Sequence, residues 1–221
     1  MTELKTIPSY KEDLKELNQQ LGQTLPADKF AVFNQDAELL GQCYPSPLKL
    51  KKGDKAPMFC LPNAAGKSVD AAALLKRGPM VLTFYRGTWC PFCNLQLKSY
   101  QQILSQLAEA GASLVAVSPM TPDNGLQMKD SNELEFEVLS DVGNKVARHF
   151  TTVFTNPQTS IDAMAELGYD FHGFYGDDSA ELPVPATFVI GSDGTILFAA
   201  SEGGDYRERV EPGDILEALG A

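Results

Sequence analysis

Met80-Val81-Leu82-Thr83-Phe84-Tyr85-Arg86-Gly87-Thr88-Trp89-Cys90-Pro91-Phe92-Cys93 is the stretch from which the rest of the chain is read. Residues 80–85 are nearly all apolar, the pattern of a strand buried on both faces. The run stops at Arg86. Gly87 and Thr88 then supply a tight turn, and two cysteines follow one helical turn apart. Cys93, Leu97, Tyr100, Leu104 and Leu107 keep the i, i+4, i+7, i+11, i+14 spacing of one buried helical stripe. Cys93 is therefore predicted on the inward face. Cys90 falls at the helix start, followed by Pro91, whose ring is preset for the first helical position. Free backbone N–H groups and the positive end of the helix dipole favour an anion there. A thiolate at Cys90 gains from both, and Arg86 adds positive charge. Only a thiolate attacks, so Cys90 is read as the exposed nucleophile and Cys93 as the resolving thiol. Trp89 is expected beside the sulfur.

Outward from this stretch, strands and helices alternate. Ser113 to Val117, Glu135 to Leu139 and Thr187 to Ile190 read as further strands. Ser192-Asp193-Gly194 is a turn signal leading into Thr195 to Ala199, which makes the last two strands a hairpin. Helices are predicted near 91–110, 122–131, 142–149 and 158–167, and from Pro212 to Leu219. Alternation closed by a hairpin indicates an α/β sandwich. Upstream, Tyr10, Leu14, Leu17 and Leu21 recur at helical spacing, as do Phe30, Phe33, Ala37 and Leu40 after Pro26. Tyr44-Pro45-Ser46-Pro47 reads as a linker. The chain thus divides into a helical extension, 1–47, and a main domain, 48–221. The extension is a homodimer contact, a lid, or a cover for one face of the core.

Composition removes several function classes. The formal net charge of −11 over 221 residues repels a nucleic-acid backbone. No run approaches the roughly 18 apolar residues of a membrane span. Met1 to Leu17 alternates Lys and Glu with Leu, so no signal peptide is expected. Four cysteines are too few for a disulfide scaffold and point to a cytoplasmic protein with a dedicated redox pair. Cys43 and Cys60 are expected to be buried small hydrophobes. Zinc usually takes four Cys or His ligands, and His149 and His172 lie far apart in sequence, so neither a metal nor another cofactor is expected.

The second informative stretch is Pro183-Val184-Pro185-Ala186-Thr187-Phe188-Val189-Ile190. A proline directly before a buried strand is unusual, because it cannot donate to the ladder. A cis bond between Val184 and Pro185 is one explanation and a rigid trans turn is the other. Together with the cysteine pair, this stretch resembles the thioredoxin-fold superfamily, in which a cis-proline loop faces a Cys-x-x-Cys at a helix start. Resemblance to its peroxiredoxin-like branch, the alkyl hydroperoxide reductase/thiol-specific antioxidant group, is closer and spans roughly residues 50–220. Gly53-Asp54-Lys55-Ala56-Pro57 with Phe59 and Leu61 looks like that group's opening strand, and Gly66-Lys67 with Val69 like its first hairpin turn. Phe84 to Cys93, Pro185 to Gly194, and Asp205-Tyr206-Arg207-Glu208-Arg209-Val210-Glu211-Pro212 complete the likeness.

The resemblance implies a thioredoxin-like three-layer sandwich with a mixed central sheet. It also implies a thiol-dependent antioxidant oxidoreductase. Cys90 would reduce a hydroperoxide, become sulfenic acid and condense with Cys93, and an external dithiol would reset the pair. The chain departs from the family pattern in two places. Typical peroxiredoxins carry Thr or Ser three residues before the attacking cysteine and Pro seven before, where this chain has Gly87 and Thr83. They also carry an Arg before the late strand, where this chain has Pro185. Thr88 and Arg86 are the candidate substitutes for stabilising the leaving oxygen. Arg209 is either a further candidate or a surface charge ahead of the last helix. The departures keep thioredoxin-like exchange on protein or small disulfides as the alternative, with a non-enzymatic redox-sensing module as the third reading.

Overall fold

The computed structural model describes residues 7–221. The first residues of the segment read as lacking a signal peptide, and of the expected extension, lie outside the described residues. At the centre is a five-stranded mixed sheet in the order β5-β4-β3-β8-β9. It consists of β3 (Met80–Phe84), β4 (Ser113–Ser118), β5 (Glu137–Ser140), β8 (Ala186–Ile190) and β9 (Ile196–Ala200). β3, β4 and β5 run parallel, β8 is antiparallel to β3, and β9 is antiparallel to β8.

Side chains alternate across the sheet as strand geometry requires. Val81, Leu114, Ala116 and Val189 enter one apolar cluster, while Met80, Leu82, Val115 and Phe188 enter the other. Helices close both faces. α4 (Pro91–Gln102), α5 (Leu104–Glu109), α6 (Pro122–Ser131) and α9 (Pro212–Leu219) contribute to the first cluster, and α3 (Ala71–Leu75) and α7 (Ala147–Phe150) to the second. Burial on both faces is what the near-continuous apolar run of β3 calls for, and the result is a thioredoxin-like three-layer arrangement.

Several details differ from the sequence expectations. The single helix expected over 91–110 breaks at Ile103, which has φ −96° and ψ 5°. The break shifts the helical phase, so Ile103 is fully buried and Leu104 only partly. The helix expected over 142–149 starts at Ala147. Gly143 and Asn144 take positive φ and hold the preceding residues in a turn, and the Asp141 carboxylate accepts from the N–H groups of Val146 and Ala147. A small antiparallel pair, β6 (Val153–Thr155) with β7 (Glu181–Pro183), has no counterpart in the sequence reading. Cys43 and Cys60 are exposed, not buried. Cys43 ends α2 (Ala27–Cys43), and Cys60 lies on the outward side of the hairpin β1 (Cys60–Pro62)–β2 (Ser68–Asp70), where its Sγ is 3.0 Å from Ser68 Oγ.

α1 (Tyr10–Thr24) and α2 pack onto the main sandwich, α1 against α4 and α2 against α8 (Gln158–Glu166). Polar ties hold them. The Glu211 carboxylate accepts from the first N–H groups of α1, Tyr10 at 2.9 Å and Lys11 at 3.0 Å. Tyr10 Oη donates to the Arg207 carbonyl and Tyr206 Oη to the Phe33 carbonyl. The buried Asp36 carboxylate accepts from the hydroxyls of Thr159 and Ser160 at the start of α8. Among the described residues, no helix is long and apolar enough to cross a membrane.

Candidate active site

Cys90 is the N-cap residue of α4, with extended φ −86° and ψ 112°, and Pro91 follows at the first helical position. The turn that delivers it closes through a hydrogen bond from Cys90 N to the Gly87 carbonyl at 3.2 Å. Asn94 braces the corner, donating through Nδ2 to the carbonyls of Thr88 and Cys90 at 2.7 and 2.8 Å. Gly87 is required by space: a Cβ there would meet Trp89 Nε1 at 2.6 Å and Tyr175 Oη at 3.0 Å. The Thr or Ser that typical peroxiredoxins place here would therefore collide with the indole. Trp89 is fixed in turn, donating from Nε1 to Tyr175 Oη at 2.8 Å, while Tyr175 donates to the Arg86 carbonyl at 3.0 Å.

The exposure expected for Cys90 is not found. Cys90 is 1% exposed and Cys93 fully buried. The difference between them is access: Cys90, not Cys93, lines a cavity of about 190 Å3. Two arginines, each 2% exposed, flank the pair. Arg86 has its guanidinium 3.8 Å from the ring centre of Tyr206 and 4.7 Å from that of Trp89, a doubly stacked cation. Its Nη2 donates to Asn156 Oδ1 at 3.0 Å, and its Nε has no partner among the described residues. Arg86 lines the same cavity as Cys90.

Arg209 is not a surface charge. Its Nη2 lies 3.4 Å from Cys93 Sγ, its Nε donates to Gln96 Oε1 at 3.0 Å, and Nη1 donates to the carbonyls of Tyr206 and Glu208. Burial raises the Cys90 thiol, as do its hydrogen bond to Cys93 and the charge there, and its proton is held well above the ordinary range. Burial also opposes ionising Cys93, but the hydrogen bond from Cys90 and the guanidinia of Arg209 and Arg86 outweigh it and hold that thiol well below the ordinary range. The pair therefore releases one proton readily and keeps the second. These directions favour negative charge on the inner sulfur, whereas the sequence reading favoured Cys90. After the hydrogen bond from Cys90, the strongest influence in that direction is Arg209, which arrives from the far end of the chain.

The remaining sequence candidates are less central. Thr88 directs its N–H to Met120 Sδ at 3.2 Å and its carbonyl to Asn94, and it is not among the residues lining the cavity. Pro185 is buried one step beyond the last β3–β8 pair, Phe84–Ala186, and does not line the cavity either. The peptide bond before it is trans, which answers to the rigid turn and not to the cis alternative. Asn156, Gln96, Tyr175 and Tyr206 were not singled out from sequence, although Tyr206 lies within the tail motif that carried the resemblance.

Residues 52–199 match the AhpC/TSA family. A Mycobacterium tuberculosis protein named as a peroxiredoxin is 30% identical over 68% of this chain and 85% of its own length. Peroxiredoxin Q of Oryza sativa subsp. japonica, a chloroplast protein, is 30% identical over 46% of each chain. Among solved structures, peroxidoxin BcpB from Mycobacterium tuberculosis superposes with a TM-score of 0.58 at 24% identity, covering 77% of this chain and 96% of that one. The structural likeness carries the fold, and the sequence match carries the kinship. With its thioredoxin-like sheet, this chain belongs to the AhpC/TSA family, whose members are thiol-dependent, peroxide-reducing oxidoreductases.

Proposed function

We propose that peroxide reduction in this chain runs through Cys90, with Cys93 first handling its proton and then resolving the product. The observation that carries the reading is the shared lining of one cavity by Cys90 and the buried Arg86. A hydroperoxide oxygen entering the cavity would meet the Arg86 guanidinium, a fixed positive charge that stabilises charge on a departing oxygen.

The steps balance as follows. Cys90 Sγ attacks the terminal oxygen of ROOH, and its proton passes to the Cys93 thiolate. An S–O bond forms and the O–O bond breaks. The alkoxide takes the proton back from Cys93 and leaves as ROH. Cys90 is now sulfenic acid and Cys93 again a thiolate. Cys93 attacks the Cys90 sulfur, the S–S bond forms, and hydroxide departs to become water with a solvent proton. An external dithiol then reduces the disulfide by exchange and is itself oxidised. Arg209 supports this cycle by holding the charge on Cys93 whenever that sulfur is the anion.

Support for the alternative, exchange with protein disulfides, is weaker, because a sulfur 1% exposed is poorly reached by a bulky disulfide. Trp89 is the only tryptophan and lines the cavity beside Cys90, so its fluorescence reports oxidation. Reduced protein mixed with peroxide in a stopped-flow instrument should respond rapidly, and a small disulfide should give a slow response. Cys93→Ser should accumulate sulfenic acid on Cys90. A response to disulfide alone, or the adduct on Cys93 in a Cys90→Ser protein, would overturn the reading; silence toward both would favour a redox-sensing module. A cytoplasmic location, supported by the cysteine usage, and a homodimer contact through the N-terminal extension remain parts of this proposal.

A further inference from the structure

The cavity at Cys90 is not made by the main domain alone. Leu21 of α1, Leu25 just after it, and Phe30 and Phe33 of α2 form part of its wall, and Met164 and Leu167 from the α8 region join them. α1 and α2 both lie outside the matched residues 52–199. The wall is also anchored. Arg207 Nη1 donates to Asn34 Oδ1 at 2.8 Å, next to Phe33, whose carbonyl accepts from Tyr206 Oη at 2.7 Å.

We propose that this N-terminal helix pair is the substrate-selecting wall of the enzyme, and that its cavity holds the apolar body of a small organic hydroperoxide carrying a single ring or a short branched chain. The inference rests on the reading of Cys90 as the residue attacked by peroxide and adds which part of the chain chooses the substrate. Size argues for this occupant. An apolar cavity of about 150 Å3 admits benzene, and the space here is about 190 Å3, room for a ring with a small branch. Chemistry argues for it too. The wall from α1 and α2 is apolar apart from Asn34, whose amide is already paired with Arg207 and the Phe30 carbonyl, so it offers little to a hydrogen peroxide molecule, which needs hydrogen bonds on every side. The buried Arg86, which lines the cavity beside Cys90, gives a positively charged end to receive the –OOH group. Burial of Cys90 disfavours a folded protein's disulfide as the occupant.

The test separates binding from turnover. Reduced full-length protein is titrated with 2-phenyl-2-propanol, the alcohol product of cumene hydroperoxide, while Trp89 fluorescence is followed. A saturable change is expected, weakened about tenfold in Leu21→Phe, which fills the cavity, and in Leu25→Asn, which makes its wall polar. Circular dichroism and thermal unfolding check that both variants fold; where one does not, the other and the wild-type titration still decide. The second arm compares kcat/KM for cumene hydroperoxide with that for hydrogen peroxide. Wild type should prefer the organic peroxide, and the ratio should fall about tenfold in both variants. No saturable binding, or a fall in both constants that leaves their ratio unchanged, overturns the selecting wall while leaving peroxide chemistry at Cys90 standing. Saturable binding without turnover of either peroxide overturns the catalytic reading and leaves the cavity as a binding site. Self-association that the alcohol abolishes would show a second copy to be the occupant and overturn the inference.

Discussion

The two halves of the site are built in opposite ways. Its floor, the β3–α4 corner with Arg86, Gly87, Trp89 and Cys90, is local: six residues between a strand and a helix place everything, and the corner is braced by Asn94 within the same helix. Its roof is assembled from the chain's two ends. α1 and α2 come from the beginning, residues 204–211 come from near the end, and each holds the other. The floor lies inside the matched residues 52–199 and the roof outside them. In the proposed cycle the floor carries the attacking sulfur, while the roof supplies the counter-charge of the resolving sulfur and a wall of the cavity. Chemistry common to a family can thus stay in a short local motif while electrostatic tuning is added from remote segments.

The comparison breaks first at Arg209, the roof residue that reaches the pair. Arg209→Met should leave a buried thiolate without its cation and Gln96 Oε1 without its donor. Loss of one partner from a buried ion pair costs about 3–5 kcal/mol, readable by denaturant unfolding of the reduced protein. The pH dependence has a definite sign. The Cys93 thiol is held below its ordinary range, so its contribution to stability is full above the unfolded thiol pKa of about 8.5 and is lost as pH falls through the folded value. The stability gap between wild type and Arg209→Met should therefore narrow in acid. The acid limb of the peroxide-driven Trp89 signal should move up by about one unit or more in the variant. An unmoved limb would mean that the floor alone sets the thiol chemistry.

Arg209 also marks where the sequence stops being legible. Near-continuous apolar runs identify β3 and β4, and the start of α9 is marked by its proline, because these signals lie along the chain itself. The start of α4 at Cys90-Pro91 is equally local. Arg209 is 116 residues from Cys93, and no periodicity links them. Its neighbours Glu208 and Glu211 make the segment look like an ordinary solvated approach to a helix. Asn156 was hidden for a related reason: β6 and β7, three residues each, are too short to show a pattern, yet their pairing sets the loop that meets Arg86. Cys43 and Cys60 mislead in the other direction, since the general tendency of cysteine to be buried says nothing about a helix end or a hairpin edge.

A smaller effect is expected where the roof's two segments touch. Gly204 N donates to the Tyr44 carbonyl at 2.9 Å, and a Cβ on Gly204 would lie 2.1 Å from the Leu40 carbonyl oxygen. Gly204→Ala must push the tail off the end of α2. Overpacking of this kind costs about 1–3 kcal/mol, a Tm drop of roughly 2–12 °C for a chain of this size. Binding of the apolar alcohol should weaken with it, because Tyr206 and Phe33 move apart. An unchanged Tm with unchanged binding would show that the roof tolerates separation of its halves.

The smallest effect sharpens the comparison by touching the roof alone. The Glu211 carboxylate accepts the first two N–H groups of α1 at 2.9 and 3.0 Å, acting as a cap contributed from 200 residues away. Ser9 serves the next turn, accepting from Glu12 N at 3.4 Å. A negative charge at a helix N-terminus is worth about 0.3–1 kcal/mol. Glu211→Gln keeps the shape and removes the charge, so Tm should fall by roughly 1–4 °C. Added salt should shrink that gap, because it screens the carboxylate against the helix dipole. Oxidation of Cys90 by hydrogen peroxide should slow far less than in Arg209→Met, since Glu211 makes no contact with either sulfur, and the cumene-to-hydrogen-peroxide ratio should fall modestly as α1 loosens. If Glu211→Gln instead shifts the acid limb as far as Arg209→Met does, the two ends of the chain act on the thiols as one electrostatic unit, and the division between a catalytic floor and a selecting roof fails.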